Sequence, residues 1–410
     1  MRTTQRGLFP TVVLTLLLAA PALAAGPVEL VLWHAYRGEE AAAFEKVIAG
    51  YNVAKAAEGV HVTTLPVPYD AFADKITAAV PRGKGPDIFI FAQDRLGGWA
   101  EAGATIEPID FFVDDAVKKR FIPTTVEAMT YHGTLYALPL NYKVLAMIYN
   151  TKLVKTPPRT TGELVTLAKS LTDAKTGRFG VAYWYSNFYF HAALMNAFGG
   201  GAFDAAGKPI LNCEANVKSL DLLTKWVDKD GFLPAEPSTA LITTLFNEGR
   251  AAMVFNGPWF LGEIAKGVEY ALAPLPTVDE AGGKPMRPWM TVEGVYITAA
   301  SKNKEAAFDV VKYVTDAPQA KVLALEGRQT PANKDVYADA KVGADPIIKV
   351  FRQQVEVAVP MPNLAEMSMM WSPATSAMTA IVQKSSSPKA ALDQAQKELE
   401  GSVAMLRKKS

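Results

Sequence analysis

The sequence has few cysteines and histidines, and no excess of charge of either sign. Cys213 is the only cysteine, and none of the four histidines has the i,i+4 spacing of a helical zinc site. One cysteine excludes an internal disulfide and a cysteine-based metal cluster. Lys and Arg number 42 and Asp and Glu 41, so no strong field attracts nucleic acid or anionic lipid. We therefore expect no metal, no cofactor, no nucleic-acid partner and an uncharged ligand.

Long apolar runs are absent beyond the first residues, which are typical of a signal peptide. Arg2 and Arg6 precede the apolar run 12–20, which is short for a bilayer span, and 22–24 (Ala-Leu-Ala) is a small-x-small cleavage site. The apolar run is not followed by a cysteine for lipid attachment. We predict cleavage after Ala24 and a periplasmic protein without a lipid anchor; a retained membrane anchor is the alternative.

Strand and helix signals alternate along the chain. Predicted strands at 28–34, 60–67 and 87–91 enclose predicted helices at 39–57 and 69–80. This order predicts an α/β lobe with a mainly parallel sheet, whose ligand crevice lies beyond the carboxyl ends of the strands. A second set follows residue 140, with strands at 144–149, 180–183, 251–255 and 270–274 and helices at 161–171, 214–229 and 239–247.

The chain is long enough for two lobes. The roughly 385 residues after the signal exceed what one core usually supports. The Pro- and Gly-rich stretch 274–288 predicts a crossing between lobes, and a strand at 294–299 and a helix at 304–313 follow it. We predict a first lobe of 25–141 plus 288–335 and a second lobe of 142–287 plus 336–410.

Nucleophile and phosphate-binding motifs are missing. The sequence contains no Gly-x-Ser-x-Gly elbow and no Gly-x-x-x-x-Gly-Lys-Ser/Thr loop. A catalytic carboxylate pair is a spatial arrangement that sequence spacing does not test. A secreted glycoside hydrolase therefore stays open as an alternative to a binding protein.

Aromatic residues stand where predicted strands give way to helices. Trp259 follows the strand 251–255, and Tyr189 and Trp371 stand near the starts of two further predicted helices. Indole and phenol rings match the apolar face of a pyranose, and planar polar side chains match its hydroxyl rim. Each ring alone is more often explained by core or rim packing than by ligand binding. Three of them at crevice-forming positions favour a site where sugar rings stack.

Asp94 and Arg95 follow the predicted strand 87–91 at its carboxyl end. Such a pair offers sugar hydroxyls both an acceptor and a fork of donors. The alternative is an Asp that caps a helix beside a solvated Arg.

Several sequence blocks together resemble the maltose/maltodextrin-binding proteins, which are extracellular solute-binding proteins of ABC sugar importers. The blocks keep the same order over essentially the whole mature chain. They are Gly-Pro-Asp-Ile at 85–88, Asp-Arg-Leu-Gly-Gly-Trp at 94–99, Asn-Gly-Pro-Trp at 256–259, Met-Pro-Asn at 361–363, and Met367, Ser368 and Trp371.

The resemblance implies a two-lobed periplasmic binding protein fold, with sheets flanked by helices and more than one hinge crossing. It implies a monomeric, non-enzymatic receptor that closes on an oligosaccharide and delivers it to the permease subunits of an importer. By position, the polar contacts are Asp94 and Arg95, the stacking rings are Tyr189, Trp259 and Trp371, and Met361 is an apolar wall.

The chain departs from the maltodextrin-binding prototype at several of these positions. Lys143 stands in place of a glutamate, Asn187 begins a replaced Glu-Pro pair, Phe91 replaces a tryptophan and Arg37 stands near an expected aspartate. We include these four as candidate ligand residues. Donors thus replace part of an acceptor-rich rim, so trehalose, sucrose or another α-glucoside is nearly as consistent as maltose. A same-fold receptor for ferric ion or a polyamine is a further alternative, which the neutral charge and the tryptophans disfavour.

Three acidic residues complete the candidates. Glu39 and Glu40 follow the first strand, where acidic side chains also stabilise a helix N-terminus. We assign Glu39 to the ligand site and Glu40 to the helix N-terminus. Glu293 precedes the strand that returns to the first lobe, and we leave its role open.

Overall fold

A computed structural model describes residues 27–408, so the predicted signal peptide lies outside the described residues. Strands and helices alternate through most of this range. The strands are β1 (Val28–His34), β2 (Val60–Pro66), β3 (Ile88–Ala92), β4 (Thr130–Tyr131), β5 (Thr134–Leu135), β6 (Ala137–Lys143), β7 (Ala146–Asn150), β8 (Phe179–Ala182), β9 (Ala251–Asn256), β10 (Tyr270–Ala273), β11 (Thr277–Val278), β12 (Lys284–Pro285), β13 (Trp289–Ile297) and β14 (Val359–Pro360). The helices are α1 (Gly38–Lys55), α2 (Tyr69–Ala79), α3 (Leu96–Ala102), α4 (Asp115–Lys118), α5 (Pro123–Ala128), α6 (Thr161–Leu171), α7 (Phe188–Ala197), α8 (Glu214–Lys225), α9 (Thr239–Asn247), α10 (Lys304–Val314), α11 (Ala317–Leu325), α12 (Ala340–Ala344), α13 (Pro346–Val357), α14 (Met367–Val382) and α15 (Pro388–Arg407).

The first sheet has the strand order β14-β13-β3-β1-β2, and β6 also pairs with β13. β1 pairs in parallel with β2 and β3, whereas β13 is antiparallel to β3 and β6. All five residues of β3 and all nine of β13 are buried. Helices therefore cover both faces of the sheet centre, as expected for continuous apolar strands.

The second sheet has the order β10-β7-β9-β8. β8 and β9 are parallel, and β7 is antiparallel to both of its neighbours. The four strands predicted at 144–149, 180–183, 251–255 and 270–274 are these four strands. The helices predicted at 161–171 and 239–247 are α6 and α9 with the predicted bounds.

Strands β7, β13 and β14 run against the majority direction of their sheets. For β7 and β13 the cause is where the chain crosses between sheets. β6 ends at Lys143 and β7 begins at Ala146, so only two residues separate the sheets. A strand that begins at the crevice edge of a sheet runs away from that edge. A strand that follows a returning helix begins at the opposite edge and runs towards the crevice. β13 enters from the same edge after residues 274–288. The predicted α/β class is confirmed, and both sheets contain parallel strands: three of the five strand pairs in the first sheet and one of the three in the second are parallel.

Two local predictions need correction. The strand predicted at 294–299 begins earlier, at Trp289, because its first residues pair with β6 and β14 at the crossing. The turn that carries Trp259 is a 3-10 helix, Pro258–Glu263, and not an α-helix. Within residues 27–408, no helix combines the length and apolarity needed to cross a membrane. The same residues contain no cluster of three His, Cys, Asp or Glu side chains suited to a metal ion.

Candidate functional site

Four aromatic side chains from separate stretches of chain form a continuous row, which we call the aromatic row: Trp371, Trp289, Tyr189 and Trp259. Ring centroids are 5.9 Å apart between Trp371 and Trp289, 6.4 Å between Trp289 and Tyr189, and 6.2 Å between Tyr189 and Trp259. These separations are those of interacting aromatic pairs. The three rings singled out in the sequence are thus brought together, and Trp289 joins them.

Local structure sets the position of each ring. Asn187 caps α7, because its side-chain Oδ1 accepts a hydrogen bond from the backbone N–H of Tyr189 at 2.9 Å. Trp371 lies in the second turn of α14, and Trp289 is the first residue of β13. Trp259 lies on the 3-10 helix that follows β9, at the edge where the chain crosses between sheets.

Gly257 gives the Trp259 indole the space that it occupies. A Cβ atom on Gly257 would lie 2.0 Å from Cζ3 of Trp259, which no real contact allows. We expect Gly257→Ala to displace the indole and weaken ligand binding by about 1–3 kcal/mol, measured by isothermal titration calorimetry. Gly401→Ala is the matched control, because a Cβ on Gly401 meets nothing within 4 Å. Equal affinities of the two variants would contradict this account of Gly257.

Asp94 lies at one end of the aromatic row, buried at 4% exposure. Its Oδ2 accepts a hydrogen bond from the Trp371 indole Nε1 at 3.0 Å and lies 3.3 Å from Nε of Arg95. Among the described residues, nothing hydrogen-bonds its buried Oδ1. Burial raises the pKa of Asp94, which Arg95 and the indole donor offset only in part. An unpaired buried oxygen beside an aromatic row is an acceptor available to a hydroxyl.

Asp94 does not cap a helix, contrary to the alternative interpretation of the sequence. Asp94 stands inside the 3-10 helix Gln93–Arg95, and no side chain caps the following α3. The Arg95 side chain is 28% exposed. Asp94 therefore contacts Trp371 in the aromatic row, and Arg95 lies beside Asp94.

A buried ion cluster lies at the other end of the row, formed by Lys143, Glu40, Glu293 and Tyr36. Lys143 Nζ is 3.2 Å from Glu40 Oε1 and 3.0 Å from Glu293 Oε1, and Tyr36 donates to Glu293 Oε2 at 2.9 Å. The ammonium group also lies 5.8 Å from the centroid of the Trp259 ring. Burial alone would lower the pKa of Lys143, but the Glu293 and Glu40 carboxylates outweigh it and raise that pKa. Lys143 therefore stays charged beside Trp259.

A β-bulge in β13 directs the Glu293 side chain towards this cluster. The register between β13 and β6 shifts between Glu293 and Gly294. A Cβ on Gly294 would lie 2.3 Å from Sδ of Met129 and 2.7 Å from Cβ of Ala137, so only glycine fits the bulge. Glu293 and Lys143 thereby meet across neighbouring strands.

Five of the predicted ligand residues have other contacts. The Phe91 ring is buried between Phe72 and Tyr69, with centroids at 5.1 and 5.0 Å, because its strand position points inward. The side-chain oxygen of Asn187 accepts the hydrogen bond that caps α7, and Arg37 forms an ion pair with Glu263 at 2.6 Å. Met361 is a buried core residue whose backbone hydrogen-bonds to β13. Glu39 is exposed and lies beside Gly262.

Four residues at the site were not assigned to it from the sequence: Trp289, Tyr69, Glu40 and Glu293. Tyr69 is 52% exposed, its ring stacks on Phe91, and its phenol lies within electrostatic range of Asp94, Glu293 and Tyr189. Helix phase could have identified Glu40, because it belongs to the buried stripe of α1 that continues through Ala43, Phe44 and Val47. Glu39 lies off that stripe.

Fold and site together define a two-lobed α/β protein in which an aromatic row ends on buried charges where the lobes meet. The model of the bacterial extracellular solute-binding protein family matches residues 35–321. The maltotriose-binding protein of Pyrococcus abyssi is 33% identical over 353 residues, covering 84% of this chain and 76% of that protein. A maltooligosaccharide ABC transporter solute-binding lipoprotein of Streptococcus pneumoniae is 29% identical, covering 79% and 78%.

A solved structure extends the similarity to the whole fold. The Thermus thermophilus maltotriose-binding protein bound with maltotriose superposes with a TM-score of 0.83 at 28% identity, covering 91% of this chain and all of that one. The chain belongs to the bacterial extracellular solute-binding protein family.

Proposed function

We propose that this protein captures maltose, a maltodextrin or a related α-glucoside between its lobes and delivers it unchanged to an ABC importer. The observation that carries the proposal is the aromatic row, which ends on Asp94 at one side and on the ion cluster at the other. Aromatic ring faces match the apolar faces of successive glucose units, and the charged ends match hydroxyl groups. The maltotriose-binding relatives support the same ligand class.

The proposed contacts divide between the lobes. Trp259, Tyr189 and Trp371 supply ring faces from elements that pack with the second sheet, and Asp94 and Lys143 supply polar groups from the first. Arg95 offers further donors. We add Tyr69 as a first-lobe ring, because Phe91 is buried beneath it and its own outer face is exposed. Closure around sugar gains contacts that the open form lacks, and this shifts the hinge equilibrium.

The test is calorimetry of the mature chain with maltotriose, maltose, trehalose and sucrose, and with lactose as a β-linked control. We expect at least one α-glucoside to bind and to raise the melting midpoint, because a ligand of the native state stabilises it. Chromatography of the recovered sugar distinguishes a receptor from a glycoside hydrolase. Absence of α-glucoside binding, or release of shorter sugars, would contradict the proposal.

Cell location and partners follow from the same proposal. The charged start, apolar run and cleavage site at 22–24 support export to the periplasm. We further propose that the exported protein is a monomer without a lipid anchor and that its closed form docks on permease subunits. Detergent phase partition of the cell-expressed protein tests the anchor, since a lipidated chain enters the detergent phase.

A further inference from the structure

His34 is a buried histidine at the carboxyl end of β1, where residues 35–37 lead into α1. Its ring packs on the rings of Tyr36 and Phe44, with centroids at 5.5 and 5.2 Å. The two ring nitrogens have different partners: Nδ1 lies 3.1 Å from the backbone nitrogen of Tyr36, and Nε2 lies 3.2 Å from Glu45 Oε1. The imidazole therefore joins the loop 35–37 to helix α1.

These partners determine which nitrogen of the ring carries the proton. A backbone N–H can only donate, so Nδ1 of His34 accepts the hydrogen bond from Tyr36 and carries no hydrogen. The proton of the neutral ring is then on Nε2, which donates to Glu45. Thr64 Oγ1 also donates to the Glu45 carboxylate, at 2.7 Å, and helps to hold it as the acceptor. Burial lowers the pKa of His34 more than the Glu45 and Glu293 carboxylates raise it, which favours this neutral form.

The hydrogen bond to Nδ1 holds the backbone of Tyr36, and the Tyr36 side chain reaches the ion cluster. Arg37 occupies the N-cap position of α1 without a side-chain hydrogen bond, so no side chain caps the helix beside this loop. The buried Tyr36 hydroxyl donates to Glu293 Oε2 at 2.9 Å and accepts from Asn141 Nδ2 at 3.2 Å. The centroid of the Tyr36 ring lies 5.4 Å from Lys143 Nζ. A displacement of the Tyr36 backbone would therefore disturb the ion cluster at the end of the aromatic row.

We propose that His34 is a positioning residue for sugar binding. Its unprotonated Nδ1 holds Tyr36 so that the Tyr36 hydroxyl orients Glu293, and Glu293 in turn orients the Lys143 ammonium group. This inference rests on the proposed function, in which Lys143 supplies a polar contact to the sugar.

The test compares two substitutions that keep different halves of the imidazole. In His34→Asn the amide oxygen stands near the position of Nδ1 and can accept from Tyr36. In His34→Gln the amide stands near the position of Nε2 and leaves the Tyr36 N–H without its acceptor. We expect His34→Gln to weaken maltotriose binding by roughly three- to tenfold in calorimetry, and His34→Asn to recover most of the wild-type affinity. His61→Gln is the matched control, because His61 is an exposed histidine that pairs with Glu29 on the same sheet, and it should not change the affinity.

A double-mutant cycle separates positioning from general destabilisation. Tyr36→Phe keeps the ring and removes the hydroxyl that orients Glu293, so it should weaken maltotriose binding by itself. Because His34 acts through that hydroxyl, adding His34→Gln to Tyr36→Phe should cost little further affinity. A substitution that only loosens the fold would lower the melting midpoint without this coupling in the affinities.

Long-range proton–nitrogen NMR of the histidine rings tests the tautomer directly. We expect the ring whose signals disappear in His34→Asn to have a protonated Nε2 and an unprotonated Nδ1 at pH 7. The tautomer and the affinity of Tyr36→Phe decide the matter where His34→Gln does not fold.

Three results would each overturn the inference and leave the proposed function standing. They are a protonated Nδ1 in the wild type, equal affinities of His34→Asn and His34→Gln, and an undiminished effect of His34→Gln in the Tyr36→Phe background. A wild type that binds no α-glucoside overturns the proposed function and this inference with it.

Discussion

Replacing Trp259 with alanine is expected to weaken maltotriose binding by about 1–3 kcal/mol, a factor of roughly 5–150 in affinity. The ring supplies a flat apolar face, and Gly257 and Tyr189 hold it in place. The substitution also removes the ring that faces the Lys143 ammonium at 5.8 Å. Because Trp259 is only partly buried, the melting midpoint without sugar should change little. Calorimetry at 25 °C and thermal unfolding measure the two effects.

Two variants serve as controls for this prediction. Trp259→Phe keeps a ring and should recover part of the affinity. Phe111→Ala removes a ring that is 94% exposed and packs edge-on against Phe112, which is not a site residue, so it should have no effect on binding. If Trp259→Ala and Trp371→Ala both bind maltotriose as tightly as the wild type, the row is not a stacking site.

Most of the fold could be predicted because each lobe is built from repeating local signals. β1 has the predicted bounds, and α2 and α10 differ from theirs by one residue at the C-terminus. The reversed direction of β7 could not be read from its own sequence, because a buried strand looks the same whichever way it runs. Direction is set by the crossing after Lys143, which brings the chain into the second sheet at its crevice edge. The proposed lobe boundaries remain predictions.

Site residues were harder to predict than the fold, because side-chain direction decides them. Asp94 and Trp371 meet in a hydrogen bond although they lie 277 residues apart. Phe91 lies next to the site, but its side chain points into the core because of its strand position. Tyr69, which stacks on it, is the exposed ring. Trp289 was missed because its strand was predicted to begin later. Choosing between Glu39 and Glu40 required knowing which face of α1 each residue occupies, because both are acidic.

The ion cluster should make Lys143→Met strongly destabilising. The variant leaves Glu40 and Glu293 buried at 6% and 8% exposure without their shared cation. Breaking a buried pair in this way costs about 3–5 kcal/mol of unfolding free energy, because the remaining charges are desolvated and unpaired. Urea unfolding at pH 7 measures the loss. Lys46→Met is the matched control: its pair with Glu326 is exposed, so the expected loss is about 1 kcal/mol or less.

The pH dependence of the stability lost in Lys143→Met tests whether buried charge causes that loss. In the wild type the Lys143 pKa is raised, so its stabilising contribution is complete well below the lysine range and does not change between pH 7 and pH 5. Burial raises the pKa of Glu40 even with Lys143 present, and removing the cation should raise that pKa further. The folded variant then takes up protons that the unfolded chain does not, so its stability rises as pH falls. The gap to the wild type should therefore narrow from pH 7 to pH 5, and adding Glu40→Gln and Glu293→Gln should recover stability at pH 7. A gap that is independent of pH, with no recovery in the triple variant, would mean that lost packing and not buried charge destabilises the protein.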